Sequence, residues 1–416
     1  MQKTFIVIGG GAAGFFAAVN AARLCPELKV IILEKTDRPL RKVKISGGGR
    51  CNVTNATFNV PDLIKNYPRG QHFLKKAFHH FSTIDTIQWY ADRNVPLQTE
   101  ADGRMFPVSN SSQSIIDCLI AEANKYRVEI MYNRDVHTIK KIKDSWELGL
   151  SNGELQFANF VCIACGGYPK ASMFDWLRLL GHKIKDPVPS LFTFNTPGNS
   201  ITSLMGISVP DTQVKILGTK LNSRGPLLIT HWGMSGPVIL RLSAWGARLL
   251  ANETGALKAP YDFSVLVNWI PEYNESTLRD KFQQLRFEIA SQKLGYRNPF
   301  LLPQRLWDYF LEQVEIHGQV RWADLPSLQQ NKLIRILVAM EISVKGKTTF
   351  KEEFATAGGI DLSEVDPNRM ESKIVPLLFF AGEILDVDGI TGGFNFQHAW
   401  TSGFIVAQTI SKLQSP

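Results

Sequence analysis

The chain has 416 residues, which is enough for two or three structural units and a large buried core. Hydrophobic residues make up 44% and charged residues 20%, which excludes a wholly disordered chain, a collagen-like chain and a small disulfide-dense protein. The formal net charge of +8 suits phosphate-bearing ligands but is weak support for a nucleic-acid partner.

The N-terminal region begins with an uncharged run from Phe5 to Ala22, long enough to resemble a signal peptide or a membrane span. Glycines at positions 9–11 and 14 interrupt this run, and we therefore interpret it as part of a nucleotide-binding unit and expect no membrane segment. The five cysteines are few and odd in number, which favours a reduced, cytoplasmic setting.

The first predicted elements are a buried strand over 4–8, a helix over 12–24 and a second buried strand over 29–33. The turn between the first strand and the helix matches G-x-G-x-x-G. Gly9 permits a tight turn, Gly11 lets the backbone approach a pyrophosphate, and Gly14 lets the helix pack closely on the strand. The helix N-terminus adds N–H donors and the positive end of a dipole.

Glu34 follows Gly14 by 20 residues and stands at the end of the second strand. A carboxylate there can accept hydrogen bonds from both hydroxyls of a ribose, and it argues against a 2′-phosphate and hence against NADP at this site. These features predict an adenine dinucleotide and leave FAD and NAD open.

Residues 41–55 are predicted to form a loop, because three consecutive glycines do not suit the interior of a helix or strand. Six basic residues lie between positions 35 and 50, so the loop either faces a phosphate and a flavin or is a solvated basic loop. Its predicted ligand-facing residues are Ser46, Gly47, Gly48, Gly49, Arg50, Cys51 and Asn52. Cys51 lacks a nearby second cysteine, and we interpret it as a small buried or flavin-adjacent residue rather than a redox thiol.

A second candidate for thiol chemistry is the pair Cys162 and Cys165, which lies in a predicted buried strand over 159–167. Residues three apart on a strand point to opposite faces, and no second C-x-x-C exists for zinc. We therefore expect neither redox nor metal function from this pair, and no metal site at His79 and His80.

The C-terminal part predicts a strand over 373–381, a turn containing Gly382 and Asp386, the diglycine Gly392-Gly393, and a helix over about 397–413. Asp386 can bind ribityl hydroxyls, and the helix start can face the pyrimidine edge of a flavin. An ordinary last strand and packing helix is the alternative. Beside the N-terminal motif, this pattern favours FAD and a discontinuous cofactor domain formed by residues 1–190 and 350–416.

The middle of the chain changes character. A capped helix is predicted from Ser82, with Ile84, Ile87 and Ala91 on its apolar face. Residues 191–274 are strand-like, a character that continues to about 349, and residues 275–343 form a small helical subdomain, with helical spacing over 305–314 and 332–344. His231 is a weak candidate for a catalytic proton donor, since a lone histidine is more often structural.

The motifs together resemble the YhiN/BaiN-like family of bacterial NAD(P)/FAD-dependent oxidoreductases over nearly the whole chain. The resemblance is carried by residues 9–14, 45–55, 103–107, 230–237, 381–389 and 391–395. It implies an α/β fold with a Rossmann-like, glutathione-reductase-type FAD domain, an inserted β-barrel-like subdomain and a helical cap. It also implies noncovalent FAD contacts at Ala12, Ala13, Glu34, Lys35, Arg41, Lys42, Gly47, Gly48, Val136, Glu383, Asp386, Asn395 and Phe396.

The family segment that usually reads Ala-Thr-Gly-Gly is Ala164-Cys165-Gly166-Gly167 here, and the glycine-rich turn that follows it in relatives is missing. We include Ala164, Cys165 and Gly166 among the candidate cofactor contacts. Because the missing glycines could reshape the opening to the flavin, we draw no substrate from the resemblance.

The predicted function is an FAD-dependent oxidoreductase. Hydride would pass from a reductant such as NAD(P)H through flavin N5 to an organic small molecule or to O₂. No second G-x-G-x-x-G exists, so a nicotinamide would dock only transiently. A nucleic-acid partner is not expected. Two alternatives stay open: a flavin-dependent RNA-modifying enzyme, suggested by the net charge, and a flavin-binding protein without turnover.

Overall fold

The computed structural model describes residues 2–348 and 355–414. Their contacts divide them into two compact units, one formed by residues 2–190 and 355–414, the other by residues 191–348.

The strands are β1 (Thr4–Ile8), β2 (Lys29–Leu33), β3 (Thr54–Asn55), β4 (Leu97–Thr99), β5 (Arg104–Pro107), β6 (Glu129–Met131), β7 (Val136–Ile142), β8 (Ser145–Leu150), β9 (Leu155–Ala158), β10 (Phe160–Ile163), β11 (Ile184–Ser190), β12 (Thr193–Asn195), β13 (Ser208–Ile216), β14 (Asn222–Thr230), β15 (Gly233–Ser235), β16 (Asp262–Asn268), β17 (Met340–Lys345), β18 (Lys347–Thr348), β19 (Ala355–Ile360), β20 (Val365–Asp366), β21 (Glu371–Ser372) and β22 (Leu378–Phe380).

The helices are α1 (Ala12–Leu24), α2 (Arg41–Gly49), α3 (Val60–Leu63), α4 (Gln71–Ala77), α5 (Thr83–Ala91), α6 (Ser112–Lys125), α7 (Asp175–Arg178), α8 (Pro237–Trp245), α9 (Ala247–Leu250), α10 (Glu275–Glu288), α11 (Gln304–Gln313), α12 (Ser327–Ala339) and α13 (Phe394–Gln414).

The first unit is built on a sheet in the order β20-β21-β22-β10-β1-β2-β6. The five strands from β22 to β6 are parallel, and Phe5 of β1 pairs with Val30 on one side and Phe160 on the other. Both central strands are apolar along nearly their whole length, because helices cover a parallel sheet on both faces. The predicted bounds of β1, α1 and β2 are confirmed.

The first and last helices of this unit pack directly on each other. A Cβ atom added to Gly403 in α13 would lie 2.7 Å from the carbonyl oxygen of Ala13 and 3.0 Å from the amide nitrogen of Ala17. Only glycine fits there, because the two backbones approach so closely. This packing brings the two ends of the chain together.

Two predicted strands are shorter in the structure. The segment 159–167 is a strand only over Phe160–Ile163, and 373–381 is a strand only over Leu378–Phe380. In the latter, Ser372 Oγ accepts hydrogen bonds from the amides of Ile374 and Val375, which turns the chain before the strand begins. The last helix begins at residue 394, three residues earlier than predicted.

The predicted apolar face of α5 is wrong, although its cap is confirmed. Ser82 and Asp85 form the predicted capping box, but Ile84 is 57% exposed. The buried face carries Thr86 and Trp89 instead, because their polar atoms find buried partners: Thr86 Oγ1 donates to Gln397 Oε1 and Trp89 Nε1 donates to Asn20 Oδ1.

The second unit contains a seven-stranded antiparallel sheet in the order β17-β16-β13-β14-β15-β12-β18. Buried residues alternate along β16, as in a strand with one apolar face. Helices α10, α11 and α12 confirm the predicted helical character of this stretch. The helical spacing over 332–344 was misleading at its end, because α12 stops at Ala339 and residues 340–345 pair with β16 as β17.

Candidate functional site

The first glycine turn is crowded on one side and open on the other. A Cβ at Gly9, whose φ is +109°, would lie 2.5 Å from the carbonyl oxygen of Ala164, and a Cβ at Gly14 would lie 2.0 Å from the carbonyl oxygen of Gly9. Around Gly11, by contrast, no heavy atom of the described residues comes within 4 Å of an added Cβ. Gly9 and Gly14 thus serve the packing of the turn, and Gly11 borders free space.

The start of α1 is available to a ligand. No described side chain caps it, and its first turn contains no acidic residue. The first N–H groups of a helix lack partners within the helix and carry the positive end of its dipole. Ala12 and Ala13 line this start with small side chains, which leaves room for an anionic group.

Glu34 is buried at the end of β2 and organises the turn. One carboxylate oxygen accepts a hydrogen bond from the Gly10 amide at 2.9 Å. The other accepts from the amide and the hydroxyl of Thr36 at 2.9 and 2.8 Å. A carboxylate offers about four acceptor positions, so capacity for a further donor such as a ribose hydroxyl remains.

The basic segment after β2 is tied to the C-terminal motif by an ion pair. Lys42 Nζ lies 2.6 Å from Glu383 Oε2, and Glu383 Oε1 accepts a hydrogen bond from the Thr356 amide at 2.8 Å. Burial alone would raise the pKa of Glu383, but Lys42 and the amide donors hold this pKa below its usual value. Glu383 is therefore ionised, and two residues that the family resemblance selected, 341 positions apart, touch each other.

The glycine loop is half helix and half arch. Residues 41–45 form a helical turn, which corrects the prediction of a loop throughout, and at Ser46 ψ changes to 148°. Gly47, Gly48 and Gly49 have φ values of +59°, +68° and +84°, which only glycine adopts without strain. We call these three residues the glycine arch. No described heavy atom lies within 4 Å of an added Cβ at Gly48 or Gly49, so the arch borders free space.

The residues after the glycine arch anchor it. Arg50 Nη1 lies 2.6 Å from Glu100 Oε1, and Arg50 Cζ lies 4.0 Å from the ring centroid of Phe106. The charge of Arg50 is therefore already neutralised within the protein. Cys51 is fully buried, and burial raises the pKa of its thiol to about 12. The thiol is therefore protonated at neutral pH.

The segment after the arch is bound to the C-terminal diglycine. With its amide oriented to satisfy both groups, Asn52 accepts a hydrogen bond from the Gly393 amide at 3.0 Å. Asn55 Nδ2 donates to the carbonyl oxygen of Gly392 at 3.0 Å, and a Cβ at Gly393 would lie 2.4 Å from the carbonyl oxygen of Thr54. These contacts fix the start of α13 beside the arch.

Several residues that hold this junction were missed by the sequence reasoning. Thr54 Oγ1 donates to Gln397 Oε1 at 2.6 Å, and Trp400 Nε1 donates to the carbonyl oxygen of Val53 at 2.9 Å. Elsewhere in the unit, Arg69 forms a buried ion pair with Asp388, and Ser190 Oγ donates to the same carboxylate. The available signal was the density of polar residues in the otherwise apolar last helix and the second acid of the Asp386–Asp388 turn.

The remaining C-terminal candidates stabilise the turn before α13. Asn395 closes it by accepting from the Gly389 amide at 2.8 Å and donating to the Gly389 carbonyl at 3.0 Å. The backbone amide of Asp386 donates to Ile360, and the ring of Phe396 stacks on Trp400 at 5.7 Å between centroids.

Gly382 joins this C-terminal turn to the start of α1. It has a φ of +74°, and a Cβ there would lie 2.8 Å from Cβ of Ala13. Its carbonyl oxygen lies 3.1 Å from His398 Nε2. Among the described residues His398 Nδ1 has no partner, and burial lowers the pKa of His398 to about 4. The imidazole is therefore neutral and donates from Nε2.

Other predicted residues lie at the rim or away from these contacts. Val136 is buried at the start of β7, close in sequence to Arg134, whose amide donates to the carbonyl oxygen of Glu34. Lys35 and Arg41 are exposed. Gly166 has a φ of +79°, and burial raises the pKa of Cys165 to about 11, so this thiol also stays protonated.

His231 belongs to the second unit. It is exposed between β14 and β15, where its ring centroid lies 3.9 Å from that of Trp232, and its catalytic role stays a prediction.

No helix in residues 2–348 and 355–414 combines the length and apolar character needed to cross a membrane. Within the same residues, no group of three or more His, Cys, Asp or Glu side chains is placed to hold a metal ion. The five cysteines are all free.

Comparisons with known proteins cover the whole chain. A family model described as HI0933-like protein Rossmann domain matches residues 3–409. Proteins named ribosomal RNA dihydrouridine synthase from Haemophilus influenzae and Escherichia coli are 28% and 29% identical over 98% and 99% of this chain and 98% of their own lengths. A 3-dehydro-bile acid delta(4,6)-reductase from Clostridium scindens is 25% identical, with 98% of both chains covered.

Among solved structures, the 3-ketosteroid delta1-dehydrogenase from Sterolibacterium denitrificans covers 99% of this chain and 100% of its own. It has a TM-score of 0.52 and 12% identity, so the likeness concerns the fold.

Proposed function

The chain belongs to the HI0933-like Rossmann-domain family, and from this premise we propose that it is an FAD-dependent oxidoreductase that reduces a carbon–carbon double bond conjugated to a carbonyl group. The names of two relatives describe such a reaction. Dihydrouridine is uridine with the double bond next to its C4 carbonyl reduced, and a delta(4,6)-reductase of a 3-dehydro-bile acid reduces double bonds conjugated to a ketone.

The residues of the first unit fit FAD. Gly11 and the uncapped start of α1 leave space and N–H donors for a pyrophosphate, and Glu34 retains acceptor capacity for a ribose. The glycine arch offers bare backbone to a flat ring system. Lys42, Glu383 and Asp386 are the polar groups that would bind the ribityl chain and the phosphates.

The structural observation that carries the assignment of FAD is the junction between residues 52–55 and residues 392–397. Asn52 and Asn55 bind the Gly393 amide and the Gly392 carbonyl, so the start of α13 is fixed beside the glycine arch in the same unit as the start of α1. In this proposal the start of α1 would bind the diphosphate of FAD, and the start of α13 would stabilise negative charge on the flavin ring.

The chemistry is divided between cofactor and protein. Bound FAD would supply the hydride and solvent the proton that together saturate the double bond, and the chain would bind and orient the cofactor. The N-terminus of α13 would stabilise negative charge placed beside it, and His398 is neutral and donates to the Gly382 carbonyl oxygen. The reductant is a nicotinamide that docks transiently, because the sequence has a single dinucleotide motif and FAD would fill it.

An absorbance spectrum of the purified protein tests the proposal first. We expect flavin bands near a one-to-one ratio, bleaching by NADH or NADPH without oxygen, and reoxidation by a conjugated enone faster than by a saturated ketone of the same skeleton. Colourless protein that cannot be reconstituted with FAD would exclude the cofactor. Equal rates with both ketones would exclude the conjugated double bond as the acceptor.

A second candidate function places the same reduction on uracil in ribosomal RNA. The distribution of charge favours it: residues 191–349 contain seventeen Lys and Arg against twelve Asp and Glu, whereas the rest of the chain contains twenty-nine against twenty-six. The smaller part thus carries most of the net charge, as a phosphate-binding surface requires. Mass spectrometry of rRNA from a strain lacking the gene should show one uridine that loses its 2-Da increment. An unchanged dihydrouridine content would exclude this candidate.

A further inference from the structure

We propose that four residues of the second unit, Lys293, Tyr296, Arg297 and Arg321, form a docking surface for structured RNA, and we call them the basic–aromatic patch. This inference rests on the second candidate function, in which ribosomal RNA is the substrate. It adds where the RNA binds and which contacts hold it.

The patch stands on two loops, residues 289–298 and 315–322, that are paired through their backbones. The Leu294 amide donates to Val320 and the Gly295 amide donates to Gly318, both at 2.9 Å. A Cβ at Gly295 would lie 2.9 Å from Cα of Gly318, so the close approach requires glycine. The pairing fixes the positions of the residues that flank it.

The loops are anchored to the core of the second unit. Leu294 and Trp322 are fully buried beneath them. Trp307 Nε1 donates to the carbonyl oxygen of Leu294 at 2.7 Å, and the Trp322 amide donates to Gln292 at 2.9 Å. The patch is therefore a preformed surface, and binding a ligand there costs little conformational entropy of the loops.

An aromatic ring projects from this surface. Tyr296 is 74% exposed, although burying an aromatic ring is normally favourable. Gln319 holds it in place: its Nε2 donates to the Tyr296 hydroxyl at 2.9 Å, and its Oε1 accepts from Lys293 Nζ. An exposed ring fixed in orientation is a platform on which an unpaired base can stack.

The positive charges around the ring are not neutralised. In the part of the chain that the structure describes, no carboxylate pairs with Lys293, Arg297 or Arg321. An isolated β-bridge pairs the backbones of Lys293 and Arg321, so these two basic residues are neighbours across the two loops. The two loops together contain three basic residues, Lys293, Arg297 and Arg321, and one acidic residue, Glu315. Lys293 Nζ lies 5.9 Å from the centroid of the Tyr296 ring. Cations that no carboxylate neutralises are compensated by phosphates in a complex with RNA.

The test measures binding of the purified holoprotein to deproteinised total rRNA between 50 and 200 mM salt. The variants are Lys293→Glu with Arg297→Glu, and separately Tyr296→Ala. The matched control reverses two exposed lysines of the same unit, Lys215→Glu with Lys220→Glu. Circular dichroism and the urea midpoint of each variant report whether the fold of the second unit is retained.

Charge reversal in the patch should weaken rRNA binding at least 10-fold at low salt and lower the slope of log affinity against log salt by about 1.5. Tyr296→Ala should weaken binding about 10-fold at every salt concentration without changing the slope, because stacking is not ionic. Tyr296→Phe keeps the ring but loses the hydrogen bond to Gln319, so its affinity should be intermediate. The control should bind within about 2-fold of the unsubstituted protein.

Other results overturn the proposal. If the patch variants bind rRNA as well as the unsubstituted protein, or if the control loses as much affinity, the proposed docking surface is wrong. The proposal that rRNA is the substrate would still stand. If the unsubstituted protein does not bind rRNA, both the docking surface and the RNA substrate are excluded. Leu301 is 92% exposed nearby in sequence, so vesicles containing phosphatidylserine are a second probe. Loss of vesicle binding alone would assign the patch to a lipid surface. Reduction of the small enone reports the proposed chemistry independently.

Discussion

The two glycine-rich segments of the first unit use glycine for opposite reasons. In the first turn, Gly9 and Gly14 are crowded, and an added Cβ would meet backbone oxygen atoms at 2.5 and 2.0 Å. In the glycine arch, an added Cβ at Gly48 or Gly49 would lie more than 4 Å from any other described heavy atom. Glycine is required there by the left-handed φ values instead. Glycine is thus required for close packing in the first turn and for a left-handed backbone conformation in the glycine arch.

This difference distinguishes glycines that stabilise the fold from glycines that leave space for a ligand. Gly11 belongs to the open group although it lies between two crowded glycines, and its φ of −91° is one that any residue adopts. Substitutions at crowded positions should therefore change stability, and substitutions at Gly11 should change cofactor affinity.

Gly14→Ala should have the largest effect. The new Cβ would overlap the carbonyl oxygen of Gly9, and separating α1 from β1 should cost about 3 kcal/mol of unfolding free energy. Urea denaturation followed by circular dichroism measures this. An unchanged midpoint would show that the turn can relax and that crowding is not what Gly14 prevents.

The crowded turn at Gly382 predicts a pH dependence through His398. The pKa of His398 in the folded protein is about 4, below its ordinary value near 6.5, so folding favours the neutral ring. Stability is fully present above pH 6.5 and is lost as the pH falls towards 4, by about 3 kcal/mol at 1.4 kcal/mol per pH unit.

His398→Gln should flatten this part of the curve, because glutamine can still donate to the Gly382 carbonyl without titrating. Urea midpoints from pH 7 to pH 4 compare the two proteins. Parallel curves would assign the acid sensitivity to other groups.

Glu34→Ala should weaken FAD retention about 10- to 100-fold. The substitution removes the ribose acceptor and leaves the buried Gly10 amide without its partner, a loss of about 1–3 kcal/mol. The ratio of flavin to protein absorbance after gel filtration measures it, and Glu34→Gln, which keeps one acceptor oxygen, should fall between the two. An unchanged ratio in the alanine variant would exclude a role for Glu34 in retaining FAD.

Gly11→Ala and Gly48→Ala give the smallest changes in stability and the clearest contrast. The first should leave the urea midpoint unchanged and still lower FAD affinity, since its Cβ enters the space next to the helix start. The second should cost about 1 kcal/mol, because alanine is strained at a φ of +68°. Equal losses of stability in both would erase the distinction between crowded and open glycines.

Local patterns were sufficient for the first strand, helix and second strand, and both the Rossmann-like α/β class and the family resemblance are confirmed. The elements that failed depend on distant partners. The buried face of α5 is polar because Gln397 and Asn20 satisfy Thr86 and Trp89, and neither partner is visible in the helix itself. Residues 340–345 leave the helical pattern because β16 pairs with them.

The candidate site shows the same limit. The motifs identified Lys42 and Glu383 separately, but nothing in the sequence states that their side chains meet across 341 positions. Arg50 was selected as a cofactor contact because of its place in the loop, whereas Glu100 and Phe106, some 50 residues later, already engage its guanidinium. Cofactor contact at each predicted residue stays a prediction.

The packing of Gly403 against Ala13 has a consequence for biosynthesis. During translation at about 5–20 residues per second, α1 leaves the ribosome roughly 20–80 seconds before α13 exists to cover it. Until then α1 packs only on earlier neighbours such as β2 and α6, and the part of its apolar surface that α13 covers stays exposed. The cofactor site proposed above is consequently complete only when synthesis of the polypeptide is almost finished.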